Sequence, residues 1–255
     1  MRRIALPREG VPTGSVNAYL HDPPDAPALL VDPGVEARAL DEALAGVDVG
    51  HVAVTHAHPD HAGALARVAD ETGAAVWAAA GHEARFRATT GVDPDGTLAD
   101  GDRIAGTRVL ATPGHAPDHL AFLAAAGAAC GDLVVAEGSV SVAAPGGDVR
   151  AYLCSLRRLR LRDPPRLFPG HGPVVDDPRA TVDRLYDHRR ERERRVLAAV
   201  QAGARDPDAA LDGAYDVDLG DLRAQARATV VAHLEKLDAE GRVRWDPASE
   251  TVEPA

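Results

Sequence analysis

Three imidazoles and one carboxylate fall within six residues in His56-Ala57-His58-Pro59-Asp60-His61. The apolar run Val52-Ala53-Val54 precedes them and an Ala-rich helical stretch follows. Alternate residues of an extended segment point the same way, so His56 and His58 address one metal ion. Asp60 and His61, where the chain turns into a helix, address a second. Imidazoles with carboxylate support are donors that suit zinc. Further donors come in Thr112-Pro113-Gly114-His115, Cys130-Gly131-Asp132 and Phe168-Pro169-Gly170-His171-Gly172. Each follows an apolar, strand-like run, which predicts that all four clusters meet at one edge of a sheet, where loops mount chemistry.

Taken in order, HAHPDH, TPGH, CGDL and PGHG, between residues 56 and 172, resemble the metallo-β-lactamase fold superfamily. The resemblance implies that His56, His58 and His115 hold one metal, that Asp60, His61 and His171 hold the other, and that Asp132 bridges the two. It implies two Zn2+ per chain, with manganese or iron as substitutes, and hydrolysis by a metal-bridging hydroxide. Asp60 and Asp132 are the catalytic carboxylates in this scheme, Asp60 also passing a proton to the leaving group. The chain has no GxSxG elbow, in agreement with water as the nucleophile. His119, four residues after His115, is a candidate to orient a ligand from behind. His21, His51, His82 and His233 match no ligand position and read as surface or packing residues.

The elements that must position these donors alternate in type. Asn17 to Leu20, Ala28 to Val31, Val52 to Val54 and Ala75 to Ala78 read as strands, with helices over 35–45 and 62–71, the latter ended by Gly73. Residues 103–111 and 120–125 read as a further strand pair flanking the TPGH turn. Periodicity alone gives α/β or α+β; the resemblance implies an α+β fold, an αββα sandwich with the metals at one edge of two packed sheets. Residues 176–203 form a long charged helix, and Ala204-Arg205-Asp206-Pro207 turns into a C-terminal unit. There Val230, Leu234 and Leu237 share a helical face, Gly241 stops the helix, and Arg242 to Trp245 is a strand. This reads as a catalytic domain over 1–195 and a small winged-helix-like domain over 196–255.

Charge is unevenly spread along the chain. Residues 1–149 carry 9 basic and 20 acidic groups, 150–195 carry 13 and 7, and 196–255 carry 6 and 12. The basic middle runs from Arg150, Arg157, Arg158, Arg160, Arg162 and Arg166 to Arg189, Arg190, Arg192, Arg194 and Arg195. Two readings compete for it: a patch that attracts a phosphodiester or another anion, or a solvated helix face with pairs such as Glu191 with Arg195. An acidic tail argues against nucleic-acid reading by a wing, so the tail is expected to pack on the catalytic domain or on a second subunit, a homodimer being one arrangement. The low aromatic content is also poor for base stacking. Cys130 and Cys154 provide no disulfide framework. With no apolar segment long enough for a bilayer and no signal-peptide core at the N-terminus, a cytoplasmic protein without membrane association is expected.

Ala136-Glu137-Gly138-Ser139, His188-Arg189 and Leu234-Glu235-Lys236-Leu237 resemble the lactamase-beta-2-like branch, whose mammalian member is an endoribonuclease acting on single-stranded RNA. That resemblance ranks cleavage of RNA phosphodiesters slightly above thioester hydrolysis of the glyoxalase II type, which employs the same seven ligands. The expected partner is therefore RNA or a small anionic substrate. A true β-lactamase is disfavoured, because those enzymes are exported and do not normally use the bridging carboxylate. A non-enzymatic winged-helix scaffold is disfavoured because none of the seven donors is missing.

Overall fold

The computed structural model describes residues 1–11 and 13–255. Two sheets pack face to face, one of six strands and one of five. The first contains β1 (Arg2–Pro7), β2 (Ser15–His21), β3 (Ala28–Val31), β4 (Val49–Ala53), β5 (Ala75–Ala79) and β6 (Gly96–Leu98) in sequence order. From β3 onward its strands are parallel, with Leu29 opposite His51 and Val52 opposite Val76. Parallel neighbours need crossovers, supplied by α1 (Arg38–Leu44), α2 (Pro59–Ala62), α3 (Leu65–Thr72) and α4 (Glu83–Thr90). The second sheet runs β11-β10-β9-β8-β7, from β7 (Arg103–Ile104), β8 (Thr107–Ala111), β9 (Leu120–Ala124), β10 (Gly127–Gly131) and β11 (Leu167–Pro169). It is antiparallel except for the β10–β11 pair.

Period-two alternation assigns each strand residue to a layer. Tyr19, Leu29, Val31 and Ala53 meet Val109, Phe122, Ala129 and Phe168 between the sheets. Their neighbours Leu30, Val52 and Val76 face the other way, onto Leu65 and Val68 of α3 and Phe86 of α4. The second sheet's outer face carries α5 (Val149–Arg162) and α6 (Pro178–Gln201). Tyr152, Leu156 and Leu159 of α5 and Leu185 of α6 are buried there against Leu110, Ala128 and Cys130. The result is the αββα sandwich that the ligand motifs imply.

Several local readings need correction. The helix expected over 62–71 is two helices, because the chain at Gly63 runs against the Asp32-Pro33-Gly34 turn. A Cβ on Gly63 would stand 2.5 Å from the Gly34 carbonyl oxygen, and the Ala64 N–H donates to Pro33 O instead of continuing a helix. The strand expected over 103–111 is broken into β7 and β8 by Ala105 and Gly106, both at positive φ. β1, absent from the pattern reading, pairs antiparallel with β2 along its whole length.

After α6 come α7 (Pro207–Ala214), a 3-10 turn (Gly220–Leu222), α8 (Arg223–Ala239) and a hairpin of β12 (Val243–Asp246) and β13 (Thr251–Pro254). α6 runs without interruption across the expected boundary between residues 195 and 196. Its last turns, Val196 and Val200, join Leu211, Val230, Leu234, Leu237, Val243 and Val252 in a core of the tail's own. The tail packs on the sandwich, as its acidic charge suggests. Ala232 reaches the second sheet's outer core, the Ala144 N–H donates to Ala228 O at 3.1 Å, and Lys236, the chain's single lysine, pairs with Glu193 of α6 at 2.6 Å. No helix among the described residues is long and apolar enough to cross a membrane.

Candidate metal centre

All seven donors singled out in the sequence converge at one end of the sandwich, at the ends of strands from both sheets rather than at the edge of one. β4 delivers His56 and His58, and α2, with Pro59 in its first turn, carries Asp60 and His61. The β8–β9 connection carries His115, while Asp132 and His171 follow β10 and β11. Their donor atoms group as His56, His58, His115; as Asp60, His61, His171; and, between these, as His56, His61, Asp132, each within 4.8 Å.

The hydrogen bonds fix which ring nitrogen is free. His115 Nδ1 lies 2.6 Å from the Ser141 carbonyl, an acceptor only, so Nδ1 carries the proton and Nε2 the lone pair. Thr55 gives its single hydroxyl proton to Asp32 at 2.8 Å, so it accepts from His56 Nδ1 at 3.1 Å. That again leaves Nε2 free. His56 Nε2 and His115 Nε2 point at His58 Nδ1 from 2.9 and 3.1 Å. With the His58 proton on Nε2, three lone pairs face one another there, an arrangement that a cation among them stabilises. In the second group His61 Nδ1 donates to Asp32 at 2.9 Å, and its Nε2 is buried with no hydrogen-bond partner. Asp132 Oδ1 is likewise buried and unpartnered. Buried polar atoms normally have partners, so these orphans and the donor set both fit metal ions.

The site's charges agree with that fit. Burial pushes the His56 imidazole well below the ordinary histidine range and that of His58 down to about 4, so both are neutral. Burial opposes ionisation of Asp60, but the hydrogen bond from His171 and the neighbouring His61 outweigh it and hold the carboxyl at about 2. Asp132 is lowered too, His61 outweighing burial. Conversely His171, although buried, is raised to about 9 by Asp132 and Asp60, its Nε2 lying 3.4 and 3.3 Å from their oxygens. His61 is raised by Asp32 and Asp132 against its burial. The two carboxylates hold positive charge in place whether it is a proton or a metal.

Sequence reasoning missed Asp32, Thr55 and Asp118. Asp32, fully buried at φ 56°, orients His61 directly and His56 through Thr55, and accepts the Thr55 N–H at 2.6 Å. Its signal was present in Asp32-Pro33-Gly34, which reads as an ordinary turn. Asp118 accepts the Ala57 N–H at 2.7 Å and Arg85 Nε at 2.9 Å, holding the backbone between His56 and His58. His119, a candidate to orient a ligand, hydrogen-bonds no ligand. It stacks on His56 at 5.1 Å and bonds Thr112 Oγ1 at 2.8 Å. His233 is a packing residue, fully buried in α8. Gly170 is required by closeness: a Cβ there would stand 2.5 Å from His61 Cε1 and 2.6 Å from Asp132 Oδ1.

A cavity of about 660 Å³ opens over the donors, with His58, Asp60, His115, Asp132 and His171 at one end. Away from them it is lined by Arg189 and Arg192 of α6, Tyr215 just after α7, and Thr229 of α8.

Residues 11–171 match the metallo-beta-lactamase superfamily. The chain belongs to that superfamily. Among curated relatives, a beta-lactamase-like protein 2 homolog of Caenorhabditis elegans is 28% identical over 171 residues, covering 64% of this chain and 56% of that protein. The chain thus spans little more than half the length of that relative. A hydroxyacylglutathione hydrolase of Methylococcus capsulatus is 34% identical over 72% of this chain and 73% of its own. Among solved structures, a metallo-beta-lactamase family protein from Thermus thermophilus superposes with a TM-score of 0.79 at 26% identity, covering 100% of this chain and 98% of that one. That last likeness includes the tail.

Proposed function

We propose that this protein is a dinuclear zinc hydrolase acting on thioesters of small thiols. His56, His58 and His115 hold one ion, Asp60, His61 and His171 the other, and Asp132 lies between them. When bound, the metals supply a water of near-neutral pKa and Lewis-acid stabilisation of developing negative charge. The chain's own residues do the rest. Asp132 and Asp60, ionised at neutral pH, keep the site anionic enough to hold two cations. Asp60, facing the cavity beside His171, is placed to take a proton from the attacking water and hand it to the leaving thiolate. Asp32 and Ser141 O hold the imidazoles in the tautomers that ligation needs.

The observation that carries the small-substrate reading is the cavity itself, which takes Tyr215, Ala226 and Thr229 of the tail into its lining. Its volume lies in the range of small-molecule sites, and its wall is made by the tail, which we read as a winged-helix-like unit spent on enclosing the site. The likeness to a hydroxyacylglutathione hydrolase supports a thioester as the scissile group. Cleavage of single-stranded RNA is the second reading, favoured by the likeness to the beta-lactamase-like protein 2 homologs. The basic segment lends it less support than its composition suggests. Arg158, Arg160, Arg166, Arg179, Arg190, Arg194 and Arg195 are all engaged with carboxylates.

Metal-loaded protein assayed side by side on S-lactoylglutathione and on a labelled single-stranded RNA, with Asp132→Ala as control, decides between the two. Thioester turnover that disappears in the variant is the expected result. RNA cleavage without thioester turnover would replace the first reading by the second, and elemental analysis of protein purified without added metal tests zinc against iron and manganese.

A further inference from the structure

The far end of the cavity carries cations that no carboxylate among the described residues neutralises. Arg189 is 3% exposed, and burial disfavours its charge. Its polar contact is with the Val140 carbonyl, and it lies over the Tyr152 ring, 5.6 Å from the centroid. Arg192 donates to Ala214 O at 2.8 Å, lies 3.5 Å from the Tyr215 centroid, and keeps its Nε buried without a partner. His188, one helical turn before Arg192, has its Nδ1 buried and unpartnered. Behind them His233 faces Arg189, Lys236, Arg192 and His188. Glu193, the nearby buried carboxylate, is already committed to Lys236 at 2.6 Å and Arg190 at 3.0 Å.

This arrangement is unlike the rest of the basic segment. Seven of its arginines are ion-paired on the surface, yet the two lining the cavity have no carboxylate partner among the described residues. Buried charges are costly unless paired, so an unpaired pair of guanidiniums facing a cavity is a site lacking its counter-charge. Glu137, which also lines the cavity, is exposed and engages neither arginine.

We infer that Arg189 and Arg192, with His188, form a specificity subsite for an oxyanion carried by the substrate at the end remote from the scissile bond. The ligand chemistry is a carboxylate or phosphate on a small molecule, since guanidinium forks match both. The rest of the lining mixes apolar Val135, Ala136, Val140 and Ala226 with polar Ser139, Ser141 and Gln225. The substrate is therefore an elongated molecule with its reactive group at one end and an anionic terminus at the other. The inference rests on the small-substrate reading above for the direction in which that molecule lies.

Binding, rather than turnover, separates the two claims. Calorimetric titration of the metal-loaded full chain uses two pairs of non-hydrolysable probes. One is S-methylglutathione with its dimethyl ester, the other S-methyl-4′-phosphopantetheine with S-methylpantetheine. At least one anionic probe should bind about tenfold or more tightly than its partner without the anionic group, as expected for charge-assisted hydrogen bonds. Discrimination confined to one pair names the source as carboxylate or phosphate. Arg192→Gln, whose side chain is less buried than Arg189, should remove most of the preference, and Arg189→Gln the rest. Arg160→Gln, which touches only surface Asp183, should leave it intact. Equal binding within both pairs, or a preference that survives in folded Arg192→Gln and Arg189→Gln, overturns the subsite. Discrimination without thioester turnover keeps the subsite and removes the thioester reading; turnover without discrimination does the reverse.

Discussion

At the metal end of the cavity four of the ligand rings are held at one nitrogen: His115 by Ser141 O, His61 by Asp32, His171 by Asp60 and Asp132, and His56 through Thr55. At the tail end the guanidiniums of Arg189 and Arg192 are answered only by carbonyl oxygens and aromatic faces. Both ends are buried and polar, but one concentrates negative charge and lone pairs and the other positive charge. A cavity with opposite poles orients a substrate that has an electrophilic centre at one end and an anion at the other. One pole is built on loops at strand ends of the sandwich, the other on α6, where the tail packs against it. The substrate must therefore satisfy two parts of the chain at once.

The contrast breaks most completely at Asp132. Asp132→Ala removes the carboxylate that lies with His56 and His61 between the two donor groups, and is expected to lower hydrolysis by about a thousandfold, the equivalent of several kcal/mol of lost charge stabilisation. Metal content by elemental analysis should fall in parallel. The tail pole fails differently. Lys236→Met leaves buried Glu193 opposite a thioether with half-exposed Arg190 still beside it, and breaking a buried pair of this kind costs up to about 3 kcal/mol. Urea unfolding should show that loss, with the metal ligands untouched.

A finer probe of the metal pole is Asp32→Asn. The amide still accepts through its one oxygen but cannot hold both His61 and, through Thr55, His56 in their ligating tautomers, so metal affinity should drop about ten- to a hundredfold. Competition with a chromophoric chelator measures it. The smallest expected effect concerns the tail pole's dependence on pH. Burial, with the surrounding Arg189, Lys236, Arg192 and His188, pushes His233 from 6.5 down to about 3. A depressed histidine is neutral in the folded chain while the unfolded chain takes up the proton. Its contribution is thus fully present above pH 6.5 and is lost as pH falls toward about 3. By about pH 5.5 the loss should be about 1 kcal/mol. His233→Leu should flatten the stability profile between about pH 7.5 and 5.5 relative to the parent; identical slopes would show that the buried ring finds a proton acceptor on folding.

Much of the metal pole was legible in the sequence, because its seven donors sit in short motifs whose types and order are chemical requirements. HAHPDH fixes four donors by covalent proximity alone, and Gly170 and the Pro59 helix start serve the same local geometry. The supporting residues were not legible. Asp32, Thr55 and Asp118 act on donors up to 61 positions away in the chain, and a buried aspartate in a turn looks like any other Asp-Pro-Gly turn until the strands are paired. The strands themselves were mostly readable from apolar runs such as Ala28–Val31. The break at Gly63 was not, since it follows from contact with a turn far earlier in the chain.

The sequence by itself determined that this chain holds the donors for metal chemistry, because ligand type and local spacing are written in consecutive residues. It also determined an excess of arginine over 150–195, but not what that excess is for. Only the tertiary structure decided which arginines are neutralised and which face the cavity. That depends on which carboxylates folding brings within about 4 Å, and such distances are set by how α6 and α8 pack on the sandwich, not by their order along the chain.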